Sequence, residues 1–262
     1  MKPLGIEKLY YRQGPDHRKG LNTNFLQIKN TFGFKGITLG KWVNDNEKQL
    51  AANLIFDAFS DLALLLNVAP IVIGLRGNLS LAFGTGGRKG VQAHYNFASC
   101  TLHLAKNAGA GALAHEWWHA FDHYICPFLF ASCSPLDFAS SQWLNQPALT
   151  HHPLNQRLDL FFQAIFLSDD LCQSSQYVKT AIEIDHTFQT NYFSQPEELT
   201  ARAFESWLQN RTELKNEYLV SGTKKSKLAL QGGYPLRVHQ LKYGACLYDY
   251  FSLLGELLES KG

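Results

Sequence analysis

The sequence has no cysteine pair spaced C-x-x-C, no internal repeat, and no apolar run of membrane-spanning length free of charges and breaks. Each absence excludes something. Without C-x-x-C there is no cysteine zinc ribbon, and five cysteines make no even disulfide framework. Cys126 and Cys133 could meet across a loop, but buried, reduced thiols are the expectation. Without a long apolar run, no membrane-embedded segment is expected. Met1-Lys2-Pro3-Leu4-Gly5-Ile6-Glu7-Lys8 lacks the apolar core of a signal peptide. Charge bias is small as well, and a net +2 singles out no class of partner. With 262 residues and 45% hydrophobic content, a cytoplasmic globular protein with a sizeable core is expected.

What is present is a stretch of unusual chemistry. Ala112 to Tyr124 contains His115-Glu116-Trp117-Trp118-His119, an H-E-x-x-H pattern, with no glycine or proline inside it. On a helix, residues four apart point the same way, so His115 and His119 can share one Zn²⁺ while Glu116 lies beside them. Asn107 to Gly111 provides a flexible approach, and Cys126-Pro127 is expected to end the helix. The plainer reading is an amphipathic core helix with two hydrogen-bonded histidines.

The fold expected is α+β. Residues 1–44 form a basic lead-in, 45–126 a small mixed or antiparallel sheet packed on the motif helix, and 127–262 a mainly helical part of the same integrated domain. Apolar residues at helical spacing predict one long helix over 45–67. Ile71–Leu75, Leu79–Phe83, Val91–Tyr95 and Thr101–Lys106 read as strands, with a glycine-rich hairpin loop over 84–90. If the Thr101–Lys106 strand lies at the sheet edge, its backbone can pair with an extended peptide, and His103 can face the site. Residues 127–154 read as irregular. Helices follow over 155–167, 175–185, from Pro196 onward, and over 238–258, with a small basic loop at Lys224-Lys225-Ser226-Lys227.

A catalytic zinc site needs a third protein ligand, with the fourth position left to water. A histidine six residues beyond the second is ruled out, because Ile125 stands there. Asp122 and His123 share the motif helix and suit a place behind the ligands better than on the ion. A separate helix offers Glu198 and Glu205, seven apart beside Ala201, Phe204 and Trp207. A carboxylate among apolar neighbours needs a partner. Glu198 is taken as the third ligand, with Glu205 as the alternative; an ordinary acidic helix start is the competing explanation.

Three segments carry a resemblance: Phe32-Gly33-Phe34 to Gly40-Lys41-Trp42-Val43, Leu81-Ala82-Phe83-Gly84 to Ala93-His94-Tyr95-Asn96, and Gly109-Ala110-Gly111 to Asp122. Together they resemble the bacterial CLCA_X family, across most of residues 5–250. The chain is also similar to the zincin-like first large polyvalent protein-associated domain of phages and mobile elements. The resemblance implies a zincin metallopeptidase-like domain. A segment like Glu198 to Glu205 recurs in the related domains, and Glu198 matches the glutamate ligand of glutamate zincins. Trp118 departs from the pattern, since glycine often stands there in the phage-type domains; a bulky side chain narrows the cleft.

The function expected is zinc-dependent hydrolysis of a protein or peptide substrate. One Zn²⁺ held by His115, His119 and Glu198 would lower the pKa of a water towards about 7. Glu116, the general base, would take its proton and pass it to the leaving amine. Tyr95, Tyr192, Tyr234 and His239 are candidate oxyanion donors. The alternatives are a non-catalytic zinc-stabilised binding module, a metal-free structural domain, and a nucleic-acid-associated accessory protein. The last would use the basic arm of Lys2, Lys8, Arg12, Arg18, Lys19, Lys29, Lys35 and Lys41, opposed only by Glu7 and Asp16.

Overall fold

Residues 5–86, 91–106 and 111–260 are described by a computed structural model. Residues 1–4 with Lys2, residues 87–90 of the expected hairpin loop, and residues 107–110 of the approach to the motif helix lie outside the described residues. The chain is α+β and mostly helical. It divides into two compact units, Met1–Ala120 with Arg211–Ser221, and Phe121–Asn210 with Gly222–Gly262.

The first unit contains β1 (Arg12–Gln13), α1 (Phe25–Phe32), β2 (Ile37–Leu39), α2 (Asp45–Leu66), β3 (Ser80–Phe83), β4 (Ala93–Asn96), β5 (Thr101–Leu104), the start of α3 (Leu113–Leu129) and β6 (Lys215–Asn216). Helix α2 begins where the sequence places it. The Asn44 side chain accepts from Glu47 N–H and the Glu47 carboxylate accepts from Asn44 N–H, a reciprocal cap that satisfies two orphan donors. Asn67, left-handed at φ 55°, ends it. It is long and apolar enough to cross a membrane, but Ile55, Phe59, Leu62 and Leu66 are buried in the protein core. Phe32, Phe34 and Phe59 pack ring to ring there, at centroid distances of 5.2–6.5 Å.

The sheet is mixed, in the order β2-β3-β5-β4. Strands β2, β3 and β5 run parallel, and β4 is antiparallel to β5. The edge condition for the Thr101–Lys106 strand is not met: β5 is interior, and β2 and β4 are the edges among the described residues. Leu102 and Leu104 of β5 are buried, so Thr101 and His103 face the other side. There His103 stacks flat on its cross-strand partner His94, with centroids 4.5 Å apart.

The expected strand Ile71–Leu75 is instead a 3₁₀ turn, Pro70–Gly74. Pro70 presets φ for a helical turn. Gly74 lies so close to the preceding loop that a Cβ would stand 2.3 Å from the Gly33 carbonyl oxygen. Leu75 and Arg76 then take positive φ (52° and 56°), which turns the chain into β3.

The basic arm pairs β1 with β6, residues some two hundred apart. Arg12 donates twice to the buried Asp61 of α2, both at 2.7 Å. His17 Nε2 and Asn216 Nδ2 reach the same carboxylate, also at 2.7 Å. Arg18 grips Asp57 through Nε and Nη2. Two cations of the arm are thus committed to acids of its own unit.

The second unit holds the rest of α3, then α4 (Ala139–Trp143), α5 (Pro153–Phe166), α6 (Gln176–Phe188), α7 (Pro196–Gln209), α8 (Lys227–Leu230) and α9 (Arg237–Glu259). Helix α3 does not stop at Cys126 but runs through Pro127 to Leu129. Proline costs little there, because it removes only the bond to the His123 carbonyl in the last turn. The stretch expected to be irregular carries α4, and Ser226 of the small basic loop caps α8. Phe161 and Tyr243 join α5 to α9. Gly244 lets α9 approach α7, where a Cβ would stand 2.8 Å from Cδ1 of Trp207. All five cysteines are free thiols, but only Cys126 is buried.

Candidate metal centre

The head of α3 is held by the segment that follows β6. Gly111 N–H donates to Tyr218 O at 3.1 Å, and Gly111 O accepts from Ser221 N–H at 3.1 Å. Ala114 N–H donates to Leu219 O at 3.0 Å. Gly111 has φ +106°, and a Cβ on it would lie 1.9 Å from Ser221 Oγ, so only glycine fits. Below this anchor, Leu113, Ala114, Trp117, Trp118 and Ala120 are buried. The indole N–H of Trp117 donates to the Ile73 carbonyl at 2.9 Å, which fixes the rotation of the helix. Glu116 and His119 stay partly exposed on the remaining face.

The i, i+4 spacing brings the two histidines together. His115 Nε2 and His119 Nε2 are 3.1 Å apart, with the rings edge to face at 4.7 Å. Two nitrogens at that distance either share a proton or face one cation. Two imidazoles on a tetrahedral zinc at about 2.0–2.1 Å each would place their nitrogens about 3.3 Å apart. The pair fits that ion with a small adjustment.

Glu116 is oriented by the sheet. Its Oε2 accepts the backbone N–H of Tyr95, on β4, at 2.8 Å. Gln92 O accepts from Ala105 N–H, so alternate β4 residues face β5, and Ala93 and Tyr95 turn their backbone groups to the open edge. A backbone N–H on the carboxylate favours its charged form.

Glu198 sits in the first turn of α7, opened by Pro196. It is buried, and its Oε2 faces Arg202 Nη1 at 3.4 Å. The loop ahead of α7 is tied down by Asp185, which accepts from Phe193 N–H and Ser194 N–H at 2.8 Å each. Burial alone would raise the Asp185 pKa, but these bonds hold it below the usual carboxylate value. Glu205, two turns further along α7, is buried near the Tyr234 phenol. Burial, and next that glutamate, push the Tyr234 pKa upward.

Of the candidate oxyanion donors, Tyr95 touches the motif helix through its backbone, and burial pushes the pKa of its phenol up. Tyr234 and His239 line a groove of about 710 Å³ in the second unit, together with Leu160, Leu236 and Val238. There His239 Nε2 meets the Ala164 carbonyl. Tyr192 packs on Phe193 and is half exposed. Asp122 accepts from the backbone and hydroxyl of Ser140, and His123 Nε2 lies 2.9 Å from Pro135 O. Two participants escape reading by residue type. One is the Tyr95 backbone N–H, which leaves no trace in the sequence. The other is Arg202, whose only signal is its i+4 spacing from Glu198.

A family model described as large polyvalent protein-associated domain 1 matches residues 184–258. The matched segment runs from the end of α6 to the end of α9 and includes Glu198, Arg202 and Glu205, while the H-E-x-x-H helix lies before it. No curated protein and no solved structure matches the chain. The similarity to that domain therefore covers less than a third of the sequence, and it is carried by the helices that bear the candidate glutamates.

Proposed function

We propose that the chain is a zinc-dependent peptidase whose ion is held by His115, His119 and Glu198, with Glu116 as general base. One observation carries the reading: His115 and His119, four residues apart on α3, bring their Nε2 atoms within 3.1 Å of each other, with Glu116 beside them in the sequence. Two imidazoles and a carboxylate suit zinc, and three ligands leave a fourth position for chemistry. When bound, the ion would act as a Lewis acid on a peptide carbonyl and lower the pKa of a water towards about 7.

The chain's own residues supply the rest. Glu116 is adjacent in sequence to a ligand, and its carboxylate is oriented by Tyr95 N–H. It takes a proton from the attacking water and returns it to the leaving nitrogen. An extended peptide would pair with the outer edge of β4 at Ala93, beside the Tyr95 N–H that Glu116 takes. Pairing of Arg12 and Arg18 with Asp61 and Asp57 supports this reading over one in which the basic arm binds phosphate.

The test is elemental analysis and peptide cleavage on the wild type and Glu116→Gln. The wild type is expected to carry one zinc per chain and to hydrolyse peptides. The variant keeps the zinc and loses at least about a hundredfold in rate. Full activity in Glu116→Gln removes the assigned base, and a wild type without stoichiometric zinc removes the centre.

A further inference from the structure

We propose that Arg202 is a positioning residue for Glu198: its Nη1 faces Oε2 and restrains it, so that the carboxylate offers a bound ion one oxygen instead of two. This rests on the metal reading above and adds a residue that the reading does not use. Arg202 is only 2% exposed. Its side chain is fixed on several sides. Nη2 donates to the Phe193 carbonyl, and Nη1 faces Glu198 Oε2 at 3.4 Å. The Tyr177 phenol, which donates to Leu199 O, lies beside it. The guanidinium carbon lies 5.6 Å from the Phe193 ring centre.

Stability alone does not account for this arrangement. A buried ion pair commonly adds little over apolar residues of the same volume, because both charges are desolvated. Here the cost is higher still, since Arg202 Nε has no hydrogen-bond partner among the described residues. What the arrangement provides is a fixed rotamer for a carboxylate one helical turn away. A lysine could not do the same, because a single ammonium cannot hold the Phe193 carbonyl and the carboxylate in one plane. Groups behind a ligand typically govern metal affinity by about ten- to a hundredfold.

The test uses the full chain loaded with Co²⁺, whose visible absorption is strong in a four-coordinate site and weak in a five-coordinate one. Arg202→Met and Arg202→Lys are compared with the wild type for Co²⁺ affinity, absorption and thermal midpoint. The expected result is a loss in affinity of about tenfold for Arg202→Met and several-fold for Arg202→Lys. The absorption per bound ion should also fall as the carboxylate swings to chelate. A purely structural arginine would move the midpoint but leave the bound spectrum unchanged. If Arg202→Met does not fold, Arg202→Lys decides alone. Affinity and spectrum within twofold of wild type, in a folded variant, overturn the assignment. A wild type that binds no Co²⁺ overturns the metal reading itself, and this inference with it; normal wild-type binding with unaltered variants overturns only the role of Arg202.

Discussion

At the scale of single residues, two glutamates on one face of α7 sit in different company. Glu198 meets a buried guanidinium, and Glu205 meets the phenol of Tyr234. Arg202 compensates the Glu198 charge, its Nη1 facing Oε2 at 3.4 Å. Glu198→Gln is therefore expected to weaken zinc binding at least about tenfold, and Glu205→Gln to leave one zinc per chain. Competition against a chelator of known affinity measures both. The reverse outcome would transfer the ligand role to Glu205.

At the scale of elements, the head of α3 is where one substitution should do most harm. Gly111 occupies a backbone conformation that L side chains rarely adopt, and its missing Cβ leaves the space that Ser221 Oγ fills. Gly111→Ala should cost about 2 kcal/mol in urea unfolding, within the range for strained backbone. It should lower zinc affinity as well, because the helix that carries His115 must shift. Adding Ser221→Gly removes the clash but not the unfavourable φ. The double variant should recover only part of the loss; full recovery would show that sterics alone dictate the glycine.

At the scale of the whole molecule, two half-buried imidazoles predict acid sensitivity. Burial first, then the facing His94, lowers the pKa of His103. Burial chiefly lowers that of His239, partly offset by its bond to the Ala164 carbonyl. A lowered folded-state pKa means that the unfolded chain takes up protons first as the pH falls. The stability these groups contribute is therefore complete above the unfolded value near 6.5 and is lost as pH falls through their folded values. Urea midpoints should decline from pH 7.5 to 5.5, and a His103→Gln, His239→Gln variant should show a flatter decline. An identical pH profile in that variant would assign the loss to other groups.

The sequence by itself determined what depends on a few neighbouring residues. The apolar spacing over 45–67, Pro196 with its acids, and the four-residue spacing of His115 and His119 each act within a few turns, so α2, α7 and the motif helix could be located from them. The tertiary structure decided what depends on residues far away. Ile71–Leu75 has the composition of a strand, yet Gly33 packs against Gly74 and draws it into a turn. Strand β5 alternates as an edge strand does, yet β3 and β4 flank it on both sides. Arg12 belongs to a basic arm until it meets Asp61, which Asn216 also reaches. Caps and spacings are short-range hydrogen-bond and steric terms, and the chain states them where they act. Pairing, burial and charge compensation are set by which distant groups arrive, and no local pattern encodes that.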